Sequence, residues 1–215
     1  MSAIVSDHAP LLKRLGFRKR RHSFNRLQGD GIVHVVYFWM APKEPPAWTE
    51  VPGLRERRYG SFRLDFGVYL PEMTRFHTPR SNWINEYDCD LRRTIGHLLP
   101  GSSDDVWWSL EDPLASDVAG QALREYGLPW LDRFPNRKAV LDAFKELGPL
   151  PIGMSPAGGL DIADVYRAIG DFVAERRTLE EYVSRPVLRS HSTYLAGYLE
   201  QRGHADLVPL ITVRN

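Results

Sequence analysis

The chain has 215 residues, of which 43% are hydrophobic and 26% charged, proportions that exclude a disordered or collagen-like polymer and point to a soluble globular protein of one folded unit. Its 28 Lys and Arg against 27 Asp and Glu leave a formal charge of +1, so no global field attracts nucleic acid or an anionic membrane. Cys89 is the single cysteine, which excludes an intramolecular disulfide and a thiolate zinc cage. The opening MSAIVSDHAP has no basic segment followed by an apolar run, and the most apolar stretch, Ile32 to Ala41, is too short to span a bilayer. A cytoplasmic protein with no membrane contact is expected.

A first helix is expected from a cap at Ser6 or Asp7, with Pro10 in its first turn, Leu11, Leu12 and Leu15 on one face, and Gly16 as the stop. Ser23 to Leu27 and Ile32 to Met40 read as strands joined by the turn residues Gln28-Gly29-Asp30-Gly31. In the third strand, SFRLDFGVYL, Phe62, Leu64, Phe66, Val68 and Leu70 point one way and Arg63, Asp65 and Tyr69 the other. Asp88 is expected to cap a helix carrying Leu91, Ile95, Leu98 and Leu99, ended by Pro100 and Gly101. Val106 to Leu110, with Trp107 and Trp108, is the fourth strand expected. Two helices follow, one with Ala119, Ala122, Leu123 and Tyr126 before Gly127, the other with Val140, Leu141, Phe144 and Leu147 before Gly148 and a cap at Asn136.

Beyond these, GPLPIGMSPAGG reads as a linker, and Ile162, Val165, Tyr166, Ile169, Phe172, Val173, Leu179, Tyr182 and Val183 form the apolar stripe of one long amphipathic helix. Tyr194, Leu195, Tyr198 and Leu199 continue the stripe past Pro186. The expected fold class is α+β: an antiparallel sheet of about four strands flanked by helices, with a C-terminal helical extension. The expected organisation is a core domain over 1–147, a Pro/Gly linker over 148–159, and a helical segment over 160–215 that docks on the core or on a second copy.

Five stretches, LLKRLGFRKRRHSFNR, SFRLDFGVYLPE, EYDCDLRRTIGHLLP, VWWSL and YGLPWLDRF, stand in an order that resembles a bacterial family of domains of unknown function, number 4304 of that series, over about Leu11 to Phe134. The resemblance implies a fold but no residue roles, because the family has no established catalytic residues. Two parts depart from the family pattern: the insert APKEPPAWTEVPGLRERR and the helical segment after Gly159.

Four polar residues form the candidate site. A two-residue turn between the first two strands would put Asn25 on a face with His34, and the pair could join Arg63 and Asp65 opposite Phe62, Leu64 and Phe66; a three-residue loop would change that parity. A histidine beside a carboxylate and a guanidinium is the material of an acid/base or anion site. The plainer reading, and the preferred one, is the wet face of a half-buried sheet with Arg63 and Asp65 in cross-strand pairs. Lys13, Arg14, Arg18, Lys19, Arg20, Arg21 and His22 form a local basic run with Phe17 and Phe24 nearby, able to meet phosphates and stack a base, but nucleic-acid binding is not expected from so balanced a chain.

Cys89, between Asp88 and Asp90, reads as a structural thiol. The seven histidines show no metal-ligand spacing, GMSPAGGLD lacks the Lys of a P-loop, and no serine sits in a nucleophile elbow. No catalytic residue, metal or cofactor is therefore expected. Trp48, in a Pro-rich polar insert, is the best candidate for a partner contact. The expected function is a non-catalytic protein-interaction role, with a protein partner or self-association, in the manner of an immunity protein or accessory factor neutralising a bacterial partner. The alternative is a small-ligand binder or enzyme using Asn25, His34, Arg63 and Asp65.

Overall fold

Period-two runs of aromatic and β-branched residues build an antiparallel sheet, and the computed structural model describes residues 2–43, 58–73, 82–102 and 105–214. The chain divides into two compact units, Met1–Met154 and Ser155–Asn215. In the first, helix α1 (Ser2–Arg14) is followed by β1 (Arg18–Arg20), β2 (Ser23–Leu27), β3 (Val33–Met40), β4 (Ser61–Tyr69), β5 (Leu91–Thr94) and β6 (Trp108–Ser109). The strand order is β1-β2-β3-β4-β5, with β6 also pairing β4. Among the described residues no helix is long and apolar enough to cross a membrane.

One face of the sheet is the core. Phe24, Val36, Phe38, Phe62, Leu64, Phe66, Val68 and Leu91 are fully buried, and each such side chain contributes about 1.5–3 kcal/mol relative to exposure. α1 brings Ile4, Val5, His8, Ala9 and Leu12 to the buried interior, with His8 stacked on Phe38 at 5.7 Å between ring centroids. The helix begins at Ser2, not at Ser6 or Asp7, so Pro10 lies in its interior. Burial of Ile4 and Val5 in the added turn offsets the roughly 3 kcal/mol that an internal proline costs.

Leu91, Ile95, Leu98 and Leu99 do not form a helix. Leu91 to Thr94 is a strand paired to Asp65–Val68, and Ile95–His97 is a short 3-10 turn. A separation of four residues between apolar positions fits a strand as well as a helix, and the open edge of β4 decided in favour of pairing. The far edge of β5 is met by the backbone of Gly153, whose oxygen accepts from Arg92 N at 2.9 Å.

α2 (Ala115–Ala122) does not stop at Gly127; it runs through a π-turn, Leu123–Gly127, into α3 (Leu128–Asp132). Gly127 has helical φ of −67°, and a Cβ there would lie 2.2 Å from Phe66 Cζ. The glycine is a point of close helix-to-sheet approach rather than a terminator. α4 (Arg137–Leu147) starts as expected, with the Asn136 side chain accepting from Ala139 N at 3.0 Å.

In the second unit the expected long helix is a helical hairpin, α5 (Gly158–Ala168) and α6 (Phe172–Val183). Gly170, at φ 79°, reverses the chain, and Asp171 caps α6 by accepting from Ala174 N at 2.9 Å. α7 (Arg189–Gln201) completes a core of Leu160, Ala163, Leu179, Val183, Leu195, Tyr198, Leu199 and Leu207. A short parallel pair, β7 (Val187–Leu188) and β8 (Val213–Arg214), closes the unit. The stripe residues at the hairpin turn, Ile169, Phe172 and Val173, are exposed.

Candidate functional site

Loop length decides which of the four polar residues meet. Leu27 pairs with Val33, leaving the five residues Gln28–Ile32 in the turn, and this odd length places Asn25 opposite Val35 and His34 opposite Arg26. Since directly paired residues share a face, His34 lies with Val68 and Phe66 on the core side, while Asn25, Arg63 and Asp65 lie on the other. The expected grouping of His34 with Asn25, Arg63 and Asp65 is therefore not present.

His34 is fully buried and its hydrogen bonds fix its form. Nε2 donates to the Phe134 carbonyl at 2.9 Å, and Nδ1 accepts from Arg26 Nη2 at 3.0 Å. Burial pushes the imidazole down to about 4, with Arg26 adding to the fall and the Phe134 bond opposing it. The ring is neutral at pH 7 and ties the β2–β3 hairpin to the chain after α3. It has no free nitrogen for a substrate.

On the opposite face Arg63 and Asp65 do come together. Arg63 Nε is 2.8 Å from Asp65 Oδ1, and Nη2 donates to Oδ2 at 3.1 Å. Arg63 also bonds Asp105, which Arg58 approaches at 3.6 Å. Two tryptophans frame these guanidinium groups. Arg63 stands 5.4 Å from the centroid of Trp39 and 5.1 Å from that of Trp107, and Arg58 stands 4.8 Å from Trp107; the two indoles meet edge to face at 4.9 Å. The strand parity explains the set: Trp39 is opposite Arg63, and Trp107 alternates with Trp108, which packs on core Phe62 at 5.5 Å.

Asp65 is 2% exposed, and burial raises its carboxyl to about 7, the Arg63 guanidinium pulling the other way and Glu86 adding to the rise. Burial also raises Glu86 and Tyr37 nearby. A carboxyl of that pKa exchanges a proton near neutrality, but here it is enclosed and turned to Arg63, so its work is to fix the guanidinium. Asn25 is two strands from Asp65, roughly 10 Å away at ordinary strand spacing, with β3 between them. It takes no part in the cluster.

The remaining expected residues sort as follows. Cys89 is buried in a cluster with Val35, Tyr69 and Ile84, burial pushes its thiol well up, and Gly67 makes room for it: a Cβ there would lie 2.6 Å from Sγ. Trp48 lies outside the described residues, within the segment joining Lys43 to Arg58. Trp39, Arg58, Asp105 and Trp107 were not marked by sequence. Trp39 could have been found by extending the alternation of β3; Asp105 had no signal, because it precedes β6 in an irregular stretch.

Residues 53–133 match the family model described as Domain of unknown function (DUF4304). The match covers β4 through α3 and includes Arg58, Arg63, Asp65, Asp105 and Trp107, whereas Trp39, Asn25, His34 and the second unit fall outside it. No curated protein and no solved structure matches the chain.

Proposed function

We propose that the protein is a non-catalytic recognition module that binds a protein partner through the end of the sheet formed by Trp39, Trp107, Arg58 and Arg63. The observation that carries this reading is the stack itself: two guanidinium groups held against two indoles, with Trp39 38% exposed. Trp and Arg dominate the energetics of protein–protein contacts. Here Asp65 and Asp105 hold the arginine side in place before any partner arrives, which reduces the ordering entropy that binding costs. An immunity protein or accessory factor that blocks its partner is the form such a role would take. The formal charge of +1 supplies little long-range steering, so recognition would rest on this local surface.

The alternative of acid/base chemistry on the sheet loses its support with His34, which faces the core as a neutral, fully engaged ring. Across the sheet Asp65 is paired with Tyr37 and Thr94 rather than with a histidine.

The test is capture of one identified partner from the cells of origin, followed by affinity measurement with that purified partner. Trp39→Ala and Arg58→Ala should each weaken binding by about tenfold or more, Trp48→Ala tests the insert singled out by sequence, and Val173→Ser in the second unit should leave affinity unchanged. Equal affinity for wild type, Trp39→Ala and Arg58→Ala would contradict the proposal.

A further inference from the structure

The basic run contains a second, independent feature. Between α1 and the β1–β2 hairpin lies an open concavity of about 570 Å³, lined by Val5, Lys13, Lys19, Arg21 and His22. Its volume is within the range usual for small-ligand sites. Three cations and a histidine converge on it from two elements, α1 and the hairpin. Among the described residues, Lys13, Lys19 and Arg21 form no ion pair with a carboxylate. Elsewhere in this unit, by contrast, Arg26 is matched to Asp132, Arg63 to Asp65 and Asp105, and Arg137 to Glu72.

The backbone adds an argument of its own. Arg20 pairs with Ser23, so Arg21 and His22 form a two-residue turn, and Arg21 adopts φ of 55°. Glycine is the residue this position favours; an arginine there costs roughly 1 kcal/mol. Its side chain is therefore present against the local conformational preference. Lys19 is placed over the Phe24 ring at 6.0 Å, and burial first, with Lys19 and Arg21 adding to it, holds the His22 imidazole below its ordinary value.

We infer that this concavity binds a small polyanionic ligand, its phosphate groups held by Lys13, Lys19 and Arg21 with His22 as a further donor. The plain alternative is that cations blunt the exposed edge of β1 against pairing with another sheet. That accounts for Arg18, Lys19 and Arg20 on the strand, and the helix dipole favours Lys13 in the last turn of α1, but neither accounts for Arg21 in the turn meeting them at one concavity. A single-stranded nucleic acid is disfavoured because Phe17 and Phe24, the aromatics beside the basic run, are 2% and 0% exposed and offer no stacking platform.

Inorganic tripolyphosphate is the probe, titrated calorimetrically against the full chain at low salt, with sulfate and a short single-stranded oligonucleotide as separate arms. Tripolyphosphate should bind with unit stoichiometry and more tightly than sulfate. Lys13→Ala and Arg21→Gly should each weaken it by about tenfold or more, while Arg21→Gly, which relaxes the turn, leaves thermal stability equal or higher. Three results would overturn the inference: no binding of tripolyphosphate, equal binding by Arg21→Gly, or tighter binding of the oligonucleotide through the same residues. Self-association of Lys19→Ala with unchanged tripolyphosphate affinity would instead assign the charges to edge protection and overturn it as well.

Discussion

Basic side chains at the two ends of one sheet are treated in opposite ways. Beside β4 and β6, Arg63 and Arg58 share Asp105, Arg63 also holds Asp65, and tryptophans close over both. Beside β1, Lys13, Lys19 and Arg21 face a concavity with no carboxylate among the described residues. The difference teaches that a run of basic residues and an isolated arginine cannot be ranked by charge alone. Counter-charges brought from distant positions, Asp105 to Arg63 for example, decide which cations are spent inside the fold.

The largest expected effect concerns the closed end and the histidine behind it. Asp65 has a folded pKa of about 7 against an ordinary 3.8. Its protonated form is favoured in the fold, so its contribution is fully present below pH 3.8 and is lost as pH rises through 7, by about 4 kcal/mol at 1.36 kcal/mol per unit. His34 does the reverse: with a folded value of about 4 against 6.5, its contribution is present above 6.5 and is lost as pH falls through 4, by about 3 kcal/mol. The two slopes oppose one another between about pH 4 and 6.5. Urea unfolding across that window should therefore show stability rising with pH in Asp65→Asn and falling with pH in His34→Gln. Parallel profiles in the two variants would break this part of the account.

Next in size is the close approach behind the same sheet. By helix propensity alone, Gly127→Ala would stabilise by about 1 kcal/mol, since its φ is already helical. Contact with Phe66 reverses the sign, and a net loss of about 2 kcal/mol is expected in denaturant melts. A gain in stability would show that Gly127 does not approach Phe66 closely.

The smallest effects sharpen the comparison directly. Asp105→Ala should cost about 1 kcal/mol in a chemical melt, because it removes an acceptor shared by two partly buried guanidinium groups, of which Arg63 keeps Asp65. Lys13→Ala should fall within about 0.5 kcal/mol of wild type, since among the described residues its side chain makes no ion pair. Equal costs at the two positions would erase the distinction between a closed and an open end.

Much of the sheet was legible because side chains alternate. Phe62, Leu64, Phe66 and Val68 face the core and Arg63, Asp65 and Tyr69 the other side, as the spacing of β4 requires. The Asn136 cap was legible because its chemistry is local. Two kinds of information were not local. The parity of the β2–β3 turn depends on whether Gln28 and Ile32 continue the ladder, and that single count moved His34 to the core. The glycines at 127 and 170 carry the same residue type but opposite consequences: one continues a helix at φ −67° and the other breaks one at φ 79°. For the candidate site, Arg63 and Asp65 were visible as strand neighbours, whereas Asp105 lies 42 residues beyond Arg63 and could not be assigned from spacing.

The claim that the tryptophan–arginine end meets a protein while the basic concavity does not can be tested with one photo-crosslinking residue placed at either end. Ser109 is exposed and paired to Ser61 beside Trp107; Lys19 lines the concavity. Irradiation in the cells of origin should give a discrete protein adduct from position 109 and none from position 19. No adduct from position 109, or the same adduct from both, would contradict the account.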